Sequence, residues 1–220
     1  LDKPFVAFAT AASMNGYASA NVAPTLSGVK TMILARPPVA VAASRSVLRD
    51  APYAMTAAGL GDVLAKTVSS ADWRLNRLLF GDPYCEQSVA LVEEIEPLYL
   101  DRPEAVRERD PSALDALFEA LLLTGAAMTM AGTSAPASGG EHLISHALDT
   151  MAALDGHPHD LHGRQVGVGT ILASELYRRV LEVESPDARE PPLETDREFW
   201  GRLGDIVAGY YAEKLPRLRG

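Results

Sequence analysis

The sequence predicts a mainly α-helical protein with a small β-containing segment at its N-terminus. Three observations carry that expectation. Residues 1–45 hold short apolar runs separated by Gly, Ser, Asn and Pro, the punctuation of short strands and turns. From residue 46 onward, apolar residues recur at helical spacing between Pro and Gly stops. No internal repeat and no low-complexity linker divides that second part, so 46–220 is expected as one helical domain and 1–45 as its β-containing appendage. At 220 residues and 47% hydrophobic content, the chain can bury a sizeable core.

Taken in order, residues 4–9 read as a short buried strand. Residues 14–28 are rich in small and polar types and read as loop or hairpin. Residues 29–35 and 39–43 are two further short apolar runs, split by Pro37-Pro38. A short helical turn over 46–50 ends at Pro52. A long helical segment over 56–80 is expected to be interrupted at Gly59-Leu60-Gly61, a turn that ends at Asp62. Residues 86–100 form a helix stopped by Asp101-Arg102-Pro103. Asp110-Pro111-Ser112 opens a strong helix, with an acidic cap and Pro in the first turn, and Leu114, Leu117, Leu121 and Met128 on one face. Residues 132–140 are a small-residue loop. Helices are expected over 141–154, 162–183 and 196–215, with a Pro-containing surface loop at 185–194.

Composition removes several function classes. A net charge of −9 disfavours a nucleic-acid surface or an anionic membrane surface. There is no run of about 18 or more apolar residues, so no transmembrane span is expected. The start, Leu1-Asp2-Lys3-Pro4, lacks the basic flank and apolar core of a signal peptide, and a cytoplasmic protein is the default. It also lacks an initiator methionine, so the sequence reads as a fragment. Cys85 is the only cysteine, which excludes an internal disulfide and a cysteine-based zinc cluster.

All five histidines, His142, His146, His157, His159 and His162, fall within residues 138–169. Histidine is the commonest metal ligand and titrates nearest neutral pH, so this crowding points to a site. His142 and His146 stand four apart on an expected helix and share one face. They follow a small-residue loop, so they lie at a helix N-terminus, whose unpaired N–H groups suit a phosphate or an alkoxide. His162 opens the next helix, and two antiparallel helices with histidines near facing ends can converge on one ion. Adding the carboxylate of Asp62 gives a His₂Asp set that leaves coordination positions open. His146, on the same face, is then available to bind substrate or relay a proton. The same spacings also describe a partly exposed helix start, with Asp62 as a helix cap. His157 and His159 read as turn residues. Lys66, four after Asp62, faces an anionic substrate or pairs with that carboxylate. Gly167-Val168-Gly169 follows no strand and reads as close helix packing rather than a nucleotide loop. Trp73, Met128 and Met130 read as core.

Several segments, in order, resemble one family. Residues 10–19, TAASMNGYAS, resemble the TAASMDGYAS segment of sn-glycerol-1-phosphate dehydrogenases. Residues 56–62, TAAGLGD, are similar to their TAAGFGD turn, and 71–74, ADWR, to their ADWRL. SGGEHLISH at 138–146 and HGRQVGVGT at 162–170 complete the match. The wider group is the iron-alcohol-dehydrogenase and dehydroquinate-synthase-like superfamily. The resemblance implies the helical metal-binding domain of that fold, with the cofactor-binding α/β half absent from this sequence. It implies a metal held by Asp62, His142 and His162, with zinc first and iron, nickel or manganese as alternatives. Asp62 and His146 are then the catalytic pair. They also contact the substrate, a small phosphorylated polyol or ketone, together with Asn15. Thr10, Ala11, Ala12, Ser13 and Ser19 match positions that touch NAD(P)H, and a homo-oligomer is implied. Three substitutions depart from the family: Asn15 for Asp, Ala135 for Arg and Arg164 for Glu. They leave a metal-dependent lyase or cyclase without redox chemistry as the alternative function.

Overall fold

A computed structural model describes residues 3–26, 29–30 and 33–185. The helix expected over 196–215 and all but the first residue of the loop at 185–194 lie outside the described residues.

Strand β1 (Val6–Ala9) pairs in parallel with β6 (Ala40–Ala43), Val6 opposite Ala40 and Ala9 opposite Ala43. Between them a 3-10 turn (Gly16–Ala18) leads into β2 (Asn21–Val22), β3 (Thr25–Leu26), β4 (Val29–Lys30) and β5 (Ile33–Leu34). These form a nested hairpin, β2 antiparallel to β5 and β3 antiparallel to β4. One expectation is corrected. β1 is not a buried strand: only Ala9 is buried, whereas Val6 and Phe8 are 60% and 58% exposed. The two lie two residues apart on the same face of a two-stranded pair, and that face is left uncovered.

Helices follow: α1 (Arg45–Asp50), α2 (Tyr53–Leu64), α3 (Lys66–Phe80), α4 (Glu86–Ile95), α5 (Pro97–Leu100), α6 (Pro103–Arg107), α7 (Pro111–Ala131), α8 (Gly140–Asp155) and α9 (His162–Leu181). The chain does not turn at Gly59-Leu60-Gly61. Helix α2 runs straight through, and the break falls at Ala65. The glycines are there for close packing. A Cβ at Gly59 would lie 2.0 Å from the Ala12 carbonyl oxygen, and one at Gly61 would lie 2.2 Å from that of Gly163. Gly163 is the reciprocal contact, with Ala58 O only 1.9 Å from its would-be Cβ. Backbone therefore meets backbone where α2 crosses the start of α9, and no side chain fits between. Gly167-Val168-Gly169 has the packing role expected of it, since a Cβ at Gly169 would reach Glu141 O at 2.5 Å. The single helix expected over 86–100 is two, α4 and α5. Pro97 opens the second because it lacks the N–H that would continue the first. The stop at Pro103 likewise opens the short helix α6.

Helix α7 is the central element. The Asp110 side chain accepts hydrogen bonds from Ser112 N and Ala113 N at 3.0 and 3.1 Å, and Gly132, at φ 68°, ends the helix. Leu114, Leu117, Leu121 and Met128 are buried as the periodicity requires. Met130, expected in the core, is 56% exposed. By length and composition α7 could cross a membrane, but half of it is buried inside this protein. Its Leu117 and Leu121 meet Val63 of α2, Ile95 of α4 and Tyr99 of α5 in one cluster, where the Tyr99 hydroxyl donates to Val63 O at 3.1 Å. Trp73 is buried, and its indole N–H donates to Pro83 O at 2.8 Å.

Candidate metal centre and its cavity

Three helices each bring one candidate ligand. Asp62 lies inside α2 and is fully buried; His142 lies in the first turn of α8 and is 4% exposed; His162 is the first residue of α9. Their ligand atoms all lie within 4.8 Å of one another, the spacing of a three-ligand site. His142 Nε2 stands 3.4 Å from Asp62 Oδ1, and the His142 and His162 ring centroids are 5.1 Å apart. Helix α9 runs antiparallel to α8 where the two meet, with His162 beside Ser145 and Gly169 beside Glu141. Residues 157–161 run back along α8, which brings His159 Nδ1 to 3.6 Å from Asp149 Oδ1. Helix α9 then starts beside the start of α8, with His162 Nδ1 3.1 Å from Ser145 Oγ.

Each ligand is held by a second group. Asn15 grips the Asp62 carboxylate twice: its backbone N–H donates to Oδ2 at 2.7 Å and its amide Nδ2 to Oδ1 at 3.2 Å. Burial alone would push the Asp62 carboxyl up. The hydrogen bond and charge of His142, with the charges of Lys66 and His162, outweigh it and hold the group below the ordinary carboxylate range. Burial likewise opposes protonation of His142, but hydrogen bonds to Asp62 and Glu141 raise it. His142 Nδ1 donates to Glu141 Oε1 at 2.7 Å, which turns Nε2 towards Asp62. His146 lies outside the three-ligand set, its ring 6.3 Å from that of His142 and 5.9 Å from that of His162.

The histidines and Asn15 line a cavity of about 350 Å³. Its other walls include Met14, Asn21, Met128, Ser134 and Ser138, and no Lys or Arg lines it among the described residues. The Asn21 Nδ2 there is buried without a hydrogen-bond partner. Lys66 is not brought to this cavity. It is buried, and its ammonium donates to the Asp62 carbonyl at 3.2 Å. Burial pushes its pKa down to about 8 against the opposing charges of Asp62 and Glu141. The N-terminus of α8 is not open to an anion either. Its Gly139 N–H is taken by Glu141 Oε1 at 2.7 Å and its Gly140 N–H by Asp72 Oδ2 at 2.6 Å. The protein's own carboxylates occupy the place expected for a phosphate. Thr10 is exposed at the end of β1, Ala11 and Ala12 are buried, Ser13 Oγ pairs with the Tyr17 hydroxyl at 3.1 Å, and buried Ser19 accepts from Asn21 N at 2.9 Å.

Residues 1–52 match the family described as iron-containing alcohol dehydrogenase. Over 177 residues the chain is 39% identical to a glycerol-1-phosphate dehydrogenase (NAD(P)+) of Bacillus velezensis, covering 80% of this chain and 45% of that protein. The proteins of the same name from Thermococcus sibiricus and Pyrococcus furiosus are 40% and 41% identical, over 80% and 79% of this chain and 49% of each relative. The chain belongs to the iron-containing alcohol dehydrogenase superfamily. It spans about half the length of the curated relatives it matches. Two solved structures share its fold. A probable glycerol dehydrogenase from Sinorhizobium meliloti superposes with a TM-score of 0.61 at 21% identity, covering 83% of this chain and 56% of that one. The glycerol dehydrogenase from Schizosaccharomyces pombe superposes at 0.62 and 17% identity, covering 80% and 45%. The mainly helical fold expected from the sequence is therefore one these dehydrogenase structures share.

The histidines and Asp62 stand out in the sequence, whereas Glu141, Ser145, Gln165, Asp72 and Tyr177 do not. Glu141 is fully buried against His142; the Tyr177 hydroxyl donates to Asp72 Oδ1 while Asp72 caps α8. A Glu just before a helical His at a helix start was the one available signal. The other four sit at no diagnostic spacing.

Proposed function

We propose that this chain supplies the metal- and substrate-binding part of a nicotinamide-linked oxidoreductase that interconverts dihydroxyacetone phosphate and sn-glycerol 1-phosphate or a similar small polyol phosphate. The observation that carries the proposal is the convergence of Asp62, His142 and His162 beside the cavity that His142, His146 and His162 line. The identity of about 40% to glycerol-1-phosphate dehydrogenases supports the substrate class. The donor set fits a divalent ion: one carboxylate held low in pKa and two imidazoles whose Nδ1 atoms are already engaged. Zinc suits such nitrogen and oxygen donors, as do iron, nickel and manganese. A divalent ion so held stabilises negative charge on a substrate oxygen, and NAD(P)H supplies the hydride.

The chain's own residues then do the rest. Asn15 keeps Asp62 oriented through two hydrogen bonds. His146, beside the ligands, exchanges a proton with the substrate hydroxyl. The buried Asn21 amide and the hydroxyls of Ser134 and Ser138 donate to substrate oxygens in a cavity that no cationic side chain lines among the described residues. Thr10–Ser13, at the end of β1, and Ser19 flank the nicotinamide.

The test is turnover. The full-length protein that contains this chain, stripped with a chelator and given dihydroxyacetone phosphate and NADH or NADPH, is expected to oxidise the cofactor only after a divalent ion is restored. Asp62→Ala is expected to lose both metal and activity. His146→Ala is expected to keep the metal and lose roughly 10²- to 10⁴-fold in kcat. No oxidation with zinc, iron, nickel or manganese restored would reject the reading in favour of the non-redox alternative.

A further inference from the structure

The two histidine ligands are held by different chemistry. His142 Nδ1 meets a buried carboxylate, Glu141 Oε1, at 2.7 Å. A carboxylate only accepts, so it fixes His142 with its proton on Nδ1 and its Nε2 lone pair towards Asp62. His162 Nδ1 meets a hydroxyl, Ser145 Oγ, at 3.1 Å. A hydroxyl both donates and accepts, so Ser145 alone leaves the tautomer of His162 undecided. The decision comes from a third residue. Ser145 Oγ donates its one proton to Gln165 Oε1 at 3.1 Å. With that proton committed, the hydroxyl can only accept from His162, which places the His162 proton on Nδ1 and the lone pair on Nε2.

We infer that Ser145 and Gln165 form a positioning relay that sets which nitrogen His162 presents to the metal. The inference rests on the metal-site reading above. Ser145 is fully buried and Gln165 nearly so, so water does not compete for these bonds. Helix geometry keeps the relay in register: Gln165 is three residues after His162 on α9, on the face that meets Ser145 of α8. Neither residue touches the reacting groups. They are the neutral counterpart of Glu141, and Gln165 is the member that breaks the symmetry of the hydroxyl.

The relay is tested on the full 220-residue chain, first without metal. ¹⁵N NMR of the histidine rings at mildly alkaline pH reads the tautomer of His162. Wild type is expected to carry the proton on Nδ1. Gln165→Leu, which removes the acceptor, is expected to shift His162 towards the Nε2–H form. Gln165→Glu, which keeps an acceptor, is expected to preserve the wild-type tautomer. Zn²⁺ affinity, measured by chelator competition, should fall 10- to 100-fold in Gln165→Leu and stay within a few-fold of wild type in Gln165→Glu. If Gln165→Leu does not fold, Ser145→Ala is read in the same way, since it removes the hydroxyl that partners Nδ1. A His162 tautomer that is Nε2–H in wild type, or unchanged between wild type and Gln165→Leu, overturns the relay. Wild-type protein that shows the expected tautomers and binds no Zn²⁺ upholds the relay and overturns the metal-site reading alone.

Discussion

Asn15 shows how one atom decides the chemistry of a neighbour. Its Nδ2 donates to Asp62 Oδ1 at 3.2 Å, a bond that an ionised aspartate cannot make. Asn15→Asp would set two carboxylates against each other in a buried site. Chelator-treated Asn15→Asp is therefore expected to lose about 1–3 kcal/mol of stability at neutral pH, read by urea denaturation, from the lost bond and the new repulsion. Added metal should return part of that loss. A second residue gives a pH prediction away from the site. The hydroxyl and backbone N–H of Ser88 hydrogen-bond the half-buried Cys85 thiol and hold its pKa down. Ser88→Ala removes the larger of these effects, so the Cys85 pKa rises. The pH–rate profile of Cys85 alkylation should then move to higher pH, with a slower rate at any pH below its midpoint. An unmoved profile would show that the hydroxyl does not stabilise the thiolate. At this scale the sequence was partly legible. Five histidines crowded into one stretch mark a site by composition alone. Glu141, Ser145 and Gln165 do not, because their roles depend on side-chain direction across α8 and α9, which residue type and spacing do not encode.

Among the elements, α7 was the most legible and α2 the least. The Asp110 cap, Pro111 and the Leu114-Leu117-Leu121 face all speak for one helix, and the structure agrees with each. Helix α2 misleads because Gly59 and Gly61 look like turn residues in sequence. They are instead the notches into which residue 12 and the start of α9 fit. What a glycine does there is set by a partner a hundred residues away. The consequence is testable at Gly163, whose would-be Cβ lies 1.9 Å from the backbone oxygen of Ala58. Backbone cannot swing aside as a flexible side chain can, so Gly163→Ala must push α9 away from α2. It is expected to cost about 1–3 kcal/mol or more, read by thermal or denaturant unfolding. It should also weaken metal binding, because Asp62 and His162 lie on the two helices that part. A stable Gly163→Ala protein with wild-type metal affinity would contradict the packing argument.

Across the whole molecule, the apolar surface is unevenly distributed. Helix α9 buries Val166 against its neighbours but leaves Leu172, Leu176 and Val180, spaced four apart on one face, at 56%, 62% and 58% exposed. The end of α3 adds Leu78 and Phe80, each 75% exposed, and β1 adds Val6 and Phe8. Single exposed apolar residues are ordinary, but contiguous stripes of them mark surfaces that bind other protein surfaces. The net charge of −9 opposes association, though long-range repulsion weakens as salt screens it. The balance predicts self-association that grows with protein concentration and with ionic strength. Sedimentation velocity at two salt concentrations would register it as a shift to larger species. Placing carboxylates in the α9 stripe, as Leu172→Glu with Leu176→Glu, should return the protein to monomer, and neither residue is one of the candidate metal ligands. A wild-type chain that stays monomeric at high concentration and high salt would mean that these stripes are too small or too scattered to drive assembly. The homo-oligomer implied by the family resemblance would then have to be built on another surface.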